Sequence, residues 1–204
     1  MGKGLLIVIS GPSGAGKGTV IAELIKQKDI EAEVSISCTT RSPRGTEVDG
    51  VNYFFKTEEE FQKMIDGAEF LEHAHVFGKY YGTPKSYVLD KLGAGRNVIL
   101  EIDVQGAMQI KQNFPEAVLI FIVPPSMNEL YKRLSGRNTE TQELIKKRYH
   151  MAKGEIEFAR KYDYVVSNNT VAQAVEDIEC IIKTVKMDPA RTDIIQRLLA
   201  EGEI

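Results

Sequence analysis

The sequence predicts an α/β fold in which helices cover both faces of a parallel sheet. Short apolar runs typical of buried strands alternate with segments of helical periodicity along most of the chain. A strand-rich segment at 35–84 and a charged helical segment at 126–161 interrupt this alternation. With 204 residues, of which 43% are hydrophobic, the chain is long enough for one core of this kind with two small inserted lobes.

The first strand and the first helix flank a glycine-rich stretch at 11–19. An apolar run at 5–10 predicts the strand, and apolar residues recur at helical spacing over 20–25. Glycines let backbone N–H groups approach phosphate oxygens, and the helix N-terminus favours negative charge. Lys17 supplies a full charge for the outer phosphates, and we expect the Thr19 hydroxyl to face a phosphate-bound Mg²⁺. The stretch therefore predicts the phosphate loop of a P-loop NTPase-type core, formed by Gly11, Pro12, Ser13, Gly14, Ala15, Gly16, Lys17, Gly18 and Thr19.

Two arginines stand out in the strand-rich segment. Arg41 and Arg44 lie in a predicted loop, because Pro43 excludes a helix there. Arginines three apart beside Thr and Tyr side chains suit a second phosphate group. This makes the segment the natural candidate for an acceptor-binding lobe. The elements predicted around the loop are a strand at 34–37, a strand at 51–55, a helix at 57–65 that begins with a capping box, a strand at 69–77 and a turn at 78–84 bearing Tyr80 and Tyr81.

The rest of the chain continues the alternation of strands and helices. The strand predicted at 97–103 ends in Glu101 and Asp103, where the carboxyl end of a parallel strand points into a ligand crevice. The charged helix predicted at 142–161 suits a mobile lid over the donor phosphates. The other predicted elements are strands at 117–123 and 164–167 and helices at 86–92, 105–114, 126–134, 171–186 and 190–200.

Composition and charge exclude several classes of protein. The net charge of −3 argues against general binding to nucleic acid or to an anionic membrane. No apolar run approaches the ~18 residues of a membrane span, and the chain enters a strand almost at once, so we expect neither a span nor a signal peptide. Cys38 and Cys180 read as reduced thiols, which is typical of a cytoplasmic protein.

Several motifs together resemble the bacterial guanylate kinases over essentially the whole chain. The combination is far more specific than the phosphate loop alone. The chain departs from the family pattern at Thr46 and Asn138, where Gly is common, and at Glu101, which is often Asp. The matching motifs are G-P-S-G-A-G-K-G-T at 11–19, S-x-T-T-R-S-P-R at 37–44, E-V-D-G-V-N-Y-F-F at 47–55, Glu72, Y-Y-G-T-P at 80–84, E-I-D-V-Q-G at 101–106, G-R-N-T-E at 136–140 and K-K-R at 146–148.

The resemblance implies an enzyme that transfers the terminal phosphoryl group of ATP to GMP, giving ADP and GDP, with Mg²⁺. With the pattern above, it divides the chain into a P-loop core (1–34, 85–125 and 162–204), a GMP-binding lobe (35–84) and a lid (126–161). By resemblance, Lys17, Arg41, Arg137 and Arg148 are the catalytic charges. The GMP site by resemblance comprises Ser37, Arg41, Arg44, Tyr53, Glu72, Tyr81, Thr83, Glu101 and Asp103.

The chemistry of this reaction agrees with the residues present. A nucleoside monophosphate already carries an anionic oxygen, so transfer needs positioning and charge neutralisation rather than a general base. Glu72 can accept the N1–H and N2–H donors of guanine, and Thr83 can donate to O6. Two alternatives are an interaction module that has lost catalysis, which the intact phosphate loop disfavours, and a kinase for another monophosphate. Use of dGMP and formation of a homo-oligomer stay open.

Overall fold

The computed structural model describes residues 4–76, 78–136, 142–192 and 194–201. Its strands are β1 Leu6–Ser10, β2 Ala32–Val34, β3 Cys38–Thr39, β4 Phe54–Phe55, β5 Phe70–Val76, β6 Lys79–Pro84, β7 Asn97–Glu101, β8 Val118–Val123 and β9 Tyr164–Ser167. Its α-helices are α1 Lys17–Leu24, α2 Glu58–Asp66, α3 Lys85–Gly93, α4 Val104–Asn113, α5 Met127–Ser135, α6 Gln142–Glu157, α7 Val171–Lys186 and α8 Ile194–Glu201. Short 3₁₀ helices lie at Lys28–Ile30 and Phe158–Lys161.

The main sheet is parallel, with the strand order β2-β7-β1-β8-β9. Its central strand β1 is buried along its whole length, as the apolar run predicts. Ile7 and Ile9 face one side of the sheet and pack with α1 and α7. Leu6 and Val8 face the other side and pack with α3 and α4. The predicted fold class, a parallel sheet with helices on both faces, is therefore confirmed.

The parallel arrangement brings the phosphate loop and the acidic end of β7 to one edge of this sheet. The loop follows β1 directly, and β7 is the neighbour of β1 with Ile9 opposite Glu101. The carboxyl ends of parallel strands lie at the same edge, and ligands of open α/β sheets bind there. Two segments predicted to carry chemistry are therefore adjacent, although they are far apart in sequence.

A smaller sheet follows the order β4-β3-β6-β5, with β6 antiparallel to both of its neighbours. The prediction of a turn at 78–84 is wrong, because Lys79–Pro84 is strand β6. Gly78, with φ 75°, supplies the positive φ that the hairpin turn needs. The tyrosines that follow it favour a strand, which the glycine and proline at the ends of this short segment obscured in the sequence.

Two predicted strands of the same segment are largely wrong: of the run at 34–37 only Val34 lies in a strand, and of the run at 51–55 only the last two residues do. β2 ends at Val34 and belongs to the main sheet, whereas Cys38–Thr39 forms β3 of the smaller sheet. The chain therefore crosses between the sheets within the stretch predicted as one strand. In the run predicted at 51–55 only Phe54–Phe55 forms a strand of the sheet, because a turn around Gly50 (φ 73°) occupies the preceding residues and Tyr53 makes an isolated bridge with Asp49.

Helix N-termini follow the sequence closely. Thr57 Oγ1 accepts the N–H of Glu60 at 3.1 Å, and Glu60 Oε2 accepts the N–H of Thr57 at 2.8 Å. This reciprocal pair is the predicted capping box of α2. Asp103, Ser126 and Thr170 cap α4, α5 and α7, each by accepting the N–H three residues further on.

Helices α5 and α6 form a hairpin that packs through Leu130, Leu134 and Ile145. The single helix predicted at 142–161 is divided, since α6 ends at Glu157 and a 3₁₀ turn continues to Lys161. In the tail helix α8, Leu198 and Leu199 are exposed. Among the described residues, the helices lack the combination of length and apolar character that a membrane span requires.

Candidate active site

The phosphate loop is shaped by glycines at two tight positions. Gly11 has φ 154°, and a Cβ there would collide with the carbonyl oxygen of Ile122 in β8. Gly16 has φ 90° and caps α1, with the side-chain amide of Asn168 packed where a Cβ would stand. Lys17 Nζ donates to the carbonyl oxygens of Gly11 at 2.6 Å and Pro12 at 3.3 Å. Its ammonium group therefore lies over the loop.

Two side chains from outside the motif support the loop. Asn168 follows β9, is buried, and donates from Nδ2 to the carbonyl oxygen of Ala15 at 2.8 Å. Arg133 of α5 donates to the carbonyl oxygens of Ala15 at 3.4 Å and Asn168 at 3.3 Å. Sequence reasoning missed both residues, because neither lies in a recognisable pattern around the loop. Their roles follow only from the position of α5 and the end of β9 beside the phosphate loop.

Helix α6, which lies in the predicted lid, contacts the phosphate loop through an arginine and a glutamate. Arg148 donates to the Ser13 hydroxyl at 3.4 Å, which brings this predicted catalytic charge to the loop. Glu155 is half-buried, and burial raises its pKa, while its hydrogen bond from the Ser13 backbone and the nearby charge of Lys17 oppose that shift. The sequence did not single out Glu155. Arg137, the other predicted catalytic arginine of the lid, lies outside the described residues.

A cavity of about 200 Å³ opens between the smaller sheet and the carboxyl end of β7. Six of the nine predicted GMP-site residues line it, namely Ser37, Tyr53, Glu72, Tyr81, Glu101 and Asp103, together with Ala74, Val76, Gly82 and Ile102. Asp103 also caps α4, accepting the N–H of Gly106 at 2.9 Å. The structure thus brings together predicted residues from five separate segments of sequence.

The carboxylate of Glu72 is the most buried acidic group at this cavity. The residue is 4% exposed, and Thr83 Oγ1 donates to its Oε1 at 2.7 Å. Burial raises the pKa of Glu72 to about 7, the negative charge of Asp103 adds to the rise, and hydrogen bonds from Thr83 oppose it. Thr83 is fully buried and its hydroxyl donates to Glu72, which differs from the predicted donation to guanine O6.

The predicted phosphate-binding arginines occupy different environments. Arg41 is 9% exposed and donates to both carboxylate oxygens of Glu47, at 2.6 and 2.7 Å. Its guanidinium also lies 4.8 Å from the ring centroid of Tyr53. The hydrogen bond from Arg41 lowers the pKa of Glu47 to about 2, and the same bond raises the pKa of Arg41. Arg44 is exposed, and its backbone N–H donates to Glu47 at 2.8 Å.

Glu47 is a further residue that sequence reasoning did not single out as functional. Its carboxylate joins the side chain of Arg41 to the backbone of Arg44, so it sets the shape of the loop that carries both arginines. The only sequence signal was its place in the E-V-D-G-V-N-Y-F-F motif. A carboxylate suits this position because it accepts hydrogen bonds from the Arg41 guanidinium and from the Arg44 backbone N–H at the same time.

Comparison with known proteins identifies the family. A family model described as guanylate kinase matches residues 3–185. The guanylate kinase of Caldanaerobacter subterraneus subsp. tengcongensis is 58% identical over 181 residues, which cover 88% of this chain and 87% of the relative. The guanylate kinase of Clostridium acetobutylicum is 50% identical over 204 residues, covering 99% and 96%. The crystal structure of guanylate kinase from Anaplasma phagocytophilum has a TM-score of 0.81 at 32% identity, covering 99% of this chain and 96% of that one.

A phosphate loop on a parallel sheet, a cavity at an adjoining smaller sheet and a helical hairpin against the loop define the class of nucleoside monophosphate kinases. Within that class, the chain belongs to the guanylate kinase family, whose members are ATP:GMP phosphotransferases. The predicted family and the predicted type of enzyme are confirmed.

Proposed function

We propose that the protein transfers the terminal phosphoryl group of ATP to GMP, with ATP on the phosphate loop and GMP in the cavity at the smaller sheet. The observation that carries the choice of base is the buried carboxylate of Glu72 at that cavity. Guanine presents N1–H and N2–H on one edge, and a carboxylate accepts both. Adenine lacks both donors there, so AMP would leave a buried acceptor without a partner.

The loop around Arg41 suits the phosphate of GMP. A guanidinium has five N–H donors, and Arg41 uses three of them on Glu47 and the Ser42 carbonyl. The other donors, the exposed side chain of Arg44 and the hydroxyls of Tyr53 and Tyr81 can bind phosphate oxygens. Ser37, Glu101 and Asp103 complete the polar lining around the nucleoside. Thr83 contributes by holding Glu72 in place.

The transferred group would lie between the phosphate loop and this second phosphate. Backbone N–H groups of the loop and the Lys17 ammonium stabilise negative charge on the donor phosphates. Arg148, already in contact with Ser13, and Arg137 bring further positive charge from the lid. The attacking oxygen of GMP is already anionic, so the protein's task is in-line alignment of two repelling phosphates.

Mg²⁺ is expected to accompany ATP. Thr19 lies exposed in the first turn of α1, two residues after Lys17, and its hydroxyl is the hard oxygen ligand that Mg²⁺ accepts. Because Gly18 carries no side chain, Thr19 is the nearest hydroxyl after the lysine that could bind the ion. When bound, Mg²⁺ neutralises charge on the phosphates.

We further propose that the chain works as three parts. Residues 1–34, 85–125 and 162–204 form the core, 35–84 the GMP-binding lobe and 126–161 the lid. Arg41 and Arg44 belong to one mobile part, whereas Arg137 and Arg148 belong to another. All four must reach one phosphoryl group, so binding of both nucleotides should close the lobe and the lid towards each other.

A single assay tests the proposed reaction. The purified protein is mixed with ATP, Mg²⁺ and one of AMP, GMP, CMP or UMP, and formation of ADP is measured. We expect rapid formation of ADP when GMP is the acceptor and little when AMP, CMP or UMP replaces it. Equal turnover with another monophosphate would refute the assigned role of Glu72, and ADP formation that does not depend on any acceptor would refute phosphotransfer.

A further inference from the structure

The base-reading strand β5 is an edge strand that rests on helix α4 of the core. Within the described part of the chain it pairs with β6 on one side only, so alternate backbone groups along its other side have no strand partner there. Gln109 of α4 takes up one such pair, the N–H and C=O of His73. Its Oε1 accepts the His73 N–H at 3.1 Å, and its Nε2 donates to the His73 carbonyl at 2.8 Å.

This contact reproduces the pairing of a neighbouring strand. A carboxamide carries the same donor and acceptor as a peptide group, so it can satisfy both groups of one residue at once. Gln109 is half-buried, and the partners are 36 residues apart in sequence. The contact therefore fixes β5 along α4, because a shift of either element would break both hydrogen bonds together.

The same face of α4 also holds the carboxylate of Glu72, the residue before His73. Gly106 lies three residues before Gln109, and its Cα is packed against Glu72 so closely that a Cβ would overlap Oε2. Asp103, three residues earlier again, lines the cavity. Gly106 and Gln109 are three residues apart and lie on one face of α4, whereas Asp103 precedes the helix as its N-cap. This face therefore contacts two successive residues of β5: Gly106 packs against the carboxylate of Glu72, and Gln109 forms hydrogen bonds with the backbone of His73.

We propose that Gln109 is a positioning residue for guanine recognition. Its two hydrogen bonds to the backbone of His73 hold the neighbouring Glu72 in place at the cavity. This inference rests on the proposed function, since it concerns the residue that reads the base. Gln109 does not line the cavity, so it acts through β5 rather than on the substrate. Loosening β5 should misplace the acceptor for N1–H and N2–H while leaving the phosphate loop intact.

The test is the substitution Gln109→Met, which keeps the length of the side chain and removes both hydrogen bonds. Steady-state kinetics are measured for GMP, AMP and ATP. We expect KM for GMP to rise about 10-fold and the ratio of kcat/KM for GMP over AMP to fall by a similar factor. KM for ATP should stay within about twofold, because the loop is untouched. The matched control is Gln112→Met, an exposed glutamine on the same helix, which should behave as wild type.

The outcomes separate this inference from others. Unchanged GMP kinetics in folded Gln109→Met would overturn it, and so would a fall in kcat with no change in KM for GMP, which would indicate a general structural role. If thermal melting shows that Gln109→Met is unfolded, Gln109→Asn carries the test. It keeps the carboxamide but is one methylene too short, so the same rise is expected and a wild-type KM would overturn the inference. Failure of wild-type protein to phosphorylate GMP would instead refute the proposed function.

Discussion

Replacement of Glu72 by glutamine tests the assigned basis of guanine recognition most directly. The amide keeps the shape of the carboxylate but offers only one acceptor, and Glu72 already receives the Thr83 hydroxyl on Oε1. With the amide oxygen towards guanine, only one of N1–H and N2–H is well paired. With the amide nitrogen towards guanine, donor faces donor. At a site where this residue is only 4% exposed, water cannot replace the lost partner.

The expected loss follows from that geometry. One buried donor left unpaired costs about 1–3 kcal/mol, so kcat/KM for GMP should fall by on the order of 10²-fold. The preference for GMP over AMP should narrow, because AMP has neither donor to lose. Kinetics with both nucleotides measure these effects. Glu69→Gln, an exposed carboxylate three residues earlier, is the control and should match wild type.

Thermal unfolding of Glu72→Gln shows whether a loss of activity comes from weaker guanine recognition or from a less stable fold. Burial raises the folded-state pKa of Glu72 to about 7, above its unfolded value of about 4. Its contribution to stability is therefore fully present below about pH 4 and is lost as the pH rises through about 7. Glu72→Gln lacks this loss and should unfold at an equal or higher temperature than wild type at pH 8. Unchanged GMP kinetics and an unchanged GMP/AMP ratio in such a folded variant would refute the reasoning.

Three other predictions address the donor site, protonation and closure. Lys17→Ala should keep the melting temperature and lose on the order of 10²-fold or more in kcat, and a variant with near wild-type turnover would contradict the phosphate-loop assignment. Burial raises the pKa of Glu72 to about 7 and guanine donors favour its ionised form, so GMP binding at about pH 6.5 should release protons from Glu72. Calorimetry in buffers of different ionisation enthalpy measures this release, which should be smaller for Glu72→Gln because only the phosphate of GMP then titrates; an equal release from both proteins would contradict the prediction. A bisubstrate mimic should lower the radius of gyration in small-angle scattering, whereas an unchanged value with the mimic bound would argue against closure.

The features that the sequence alone predicted are those set by local interactions. The phosphate loop is a run of consecutive residues between an apolar strand and a helix, and its glycines have the conformations that such a turn requires. The capping box joins Thr57 and Glu60, which are only three positions apart. The buried strands of the main sheet appear as apolar runs, because both faces of a parallel sheet are covered by helices.

The smaller sheet was harder to predict, because its strands are short. The sequence signal of a strand needs several alternating residues, and β3 and β4 have two each. At 78–84, Gly78 and Pro84 suggested a turn although antiparallel pairing with β5 makes most of the segment a strand. Pairing partners lie in other parts of the chain, so they could override the local pattern.

What only the tertiary structure decided is how distant residues meet at the phosphate loop and at the cavity beside the smaller sheet. The sequence and its family resemblance named Glu72 and Thr83, but the structure showed that Thr83 holds Glu72. Asn168 donates a hydrogen bond to the carbonyl oxygen of Ala15, which is 153 positions away in sequence. Gln109 forms hydrogen bonds with the backbone of His73, which is 36 positions away. Such contacts depend on the order of strands in a sheet and on which helix packs beneath them. Composition and periodicity specify that a residue is buried or exposed, whereas only the packing of the whole chain determines its partner.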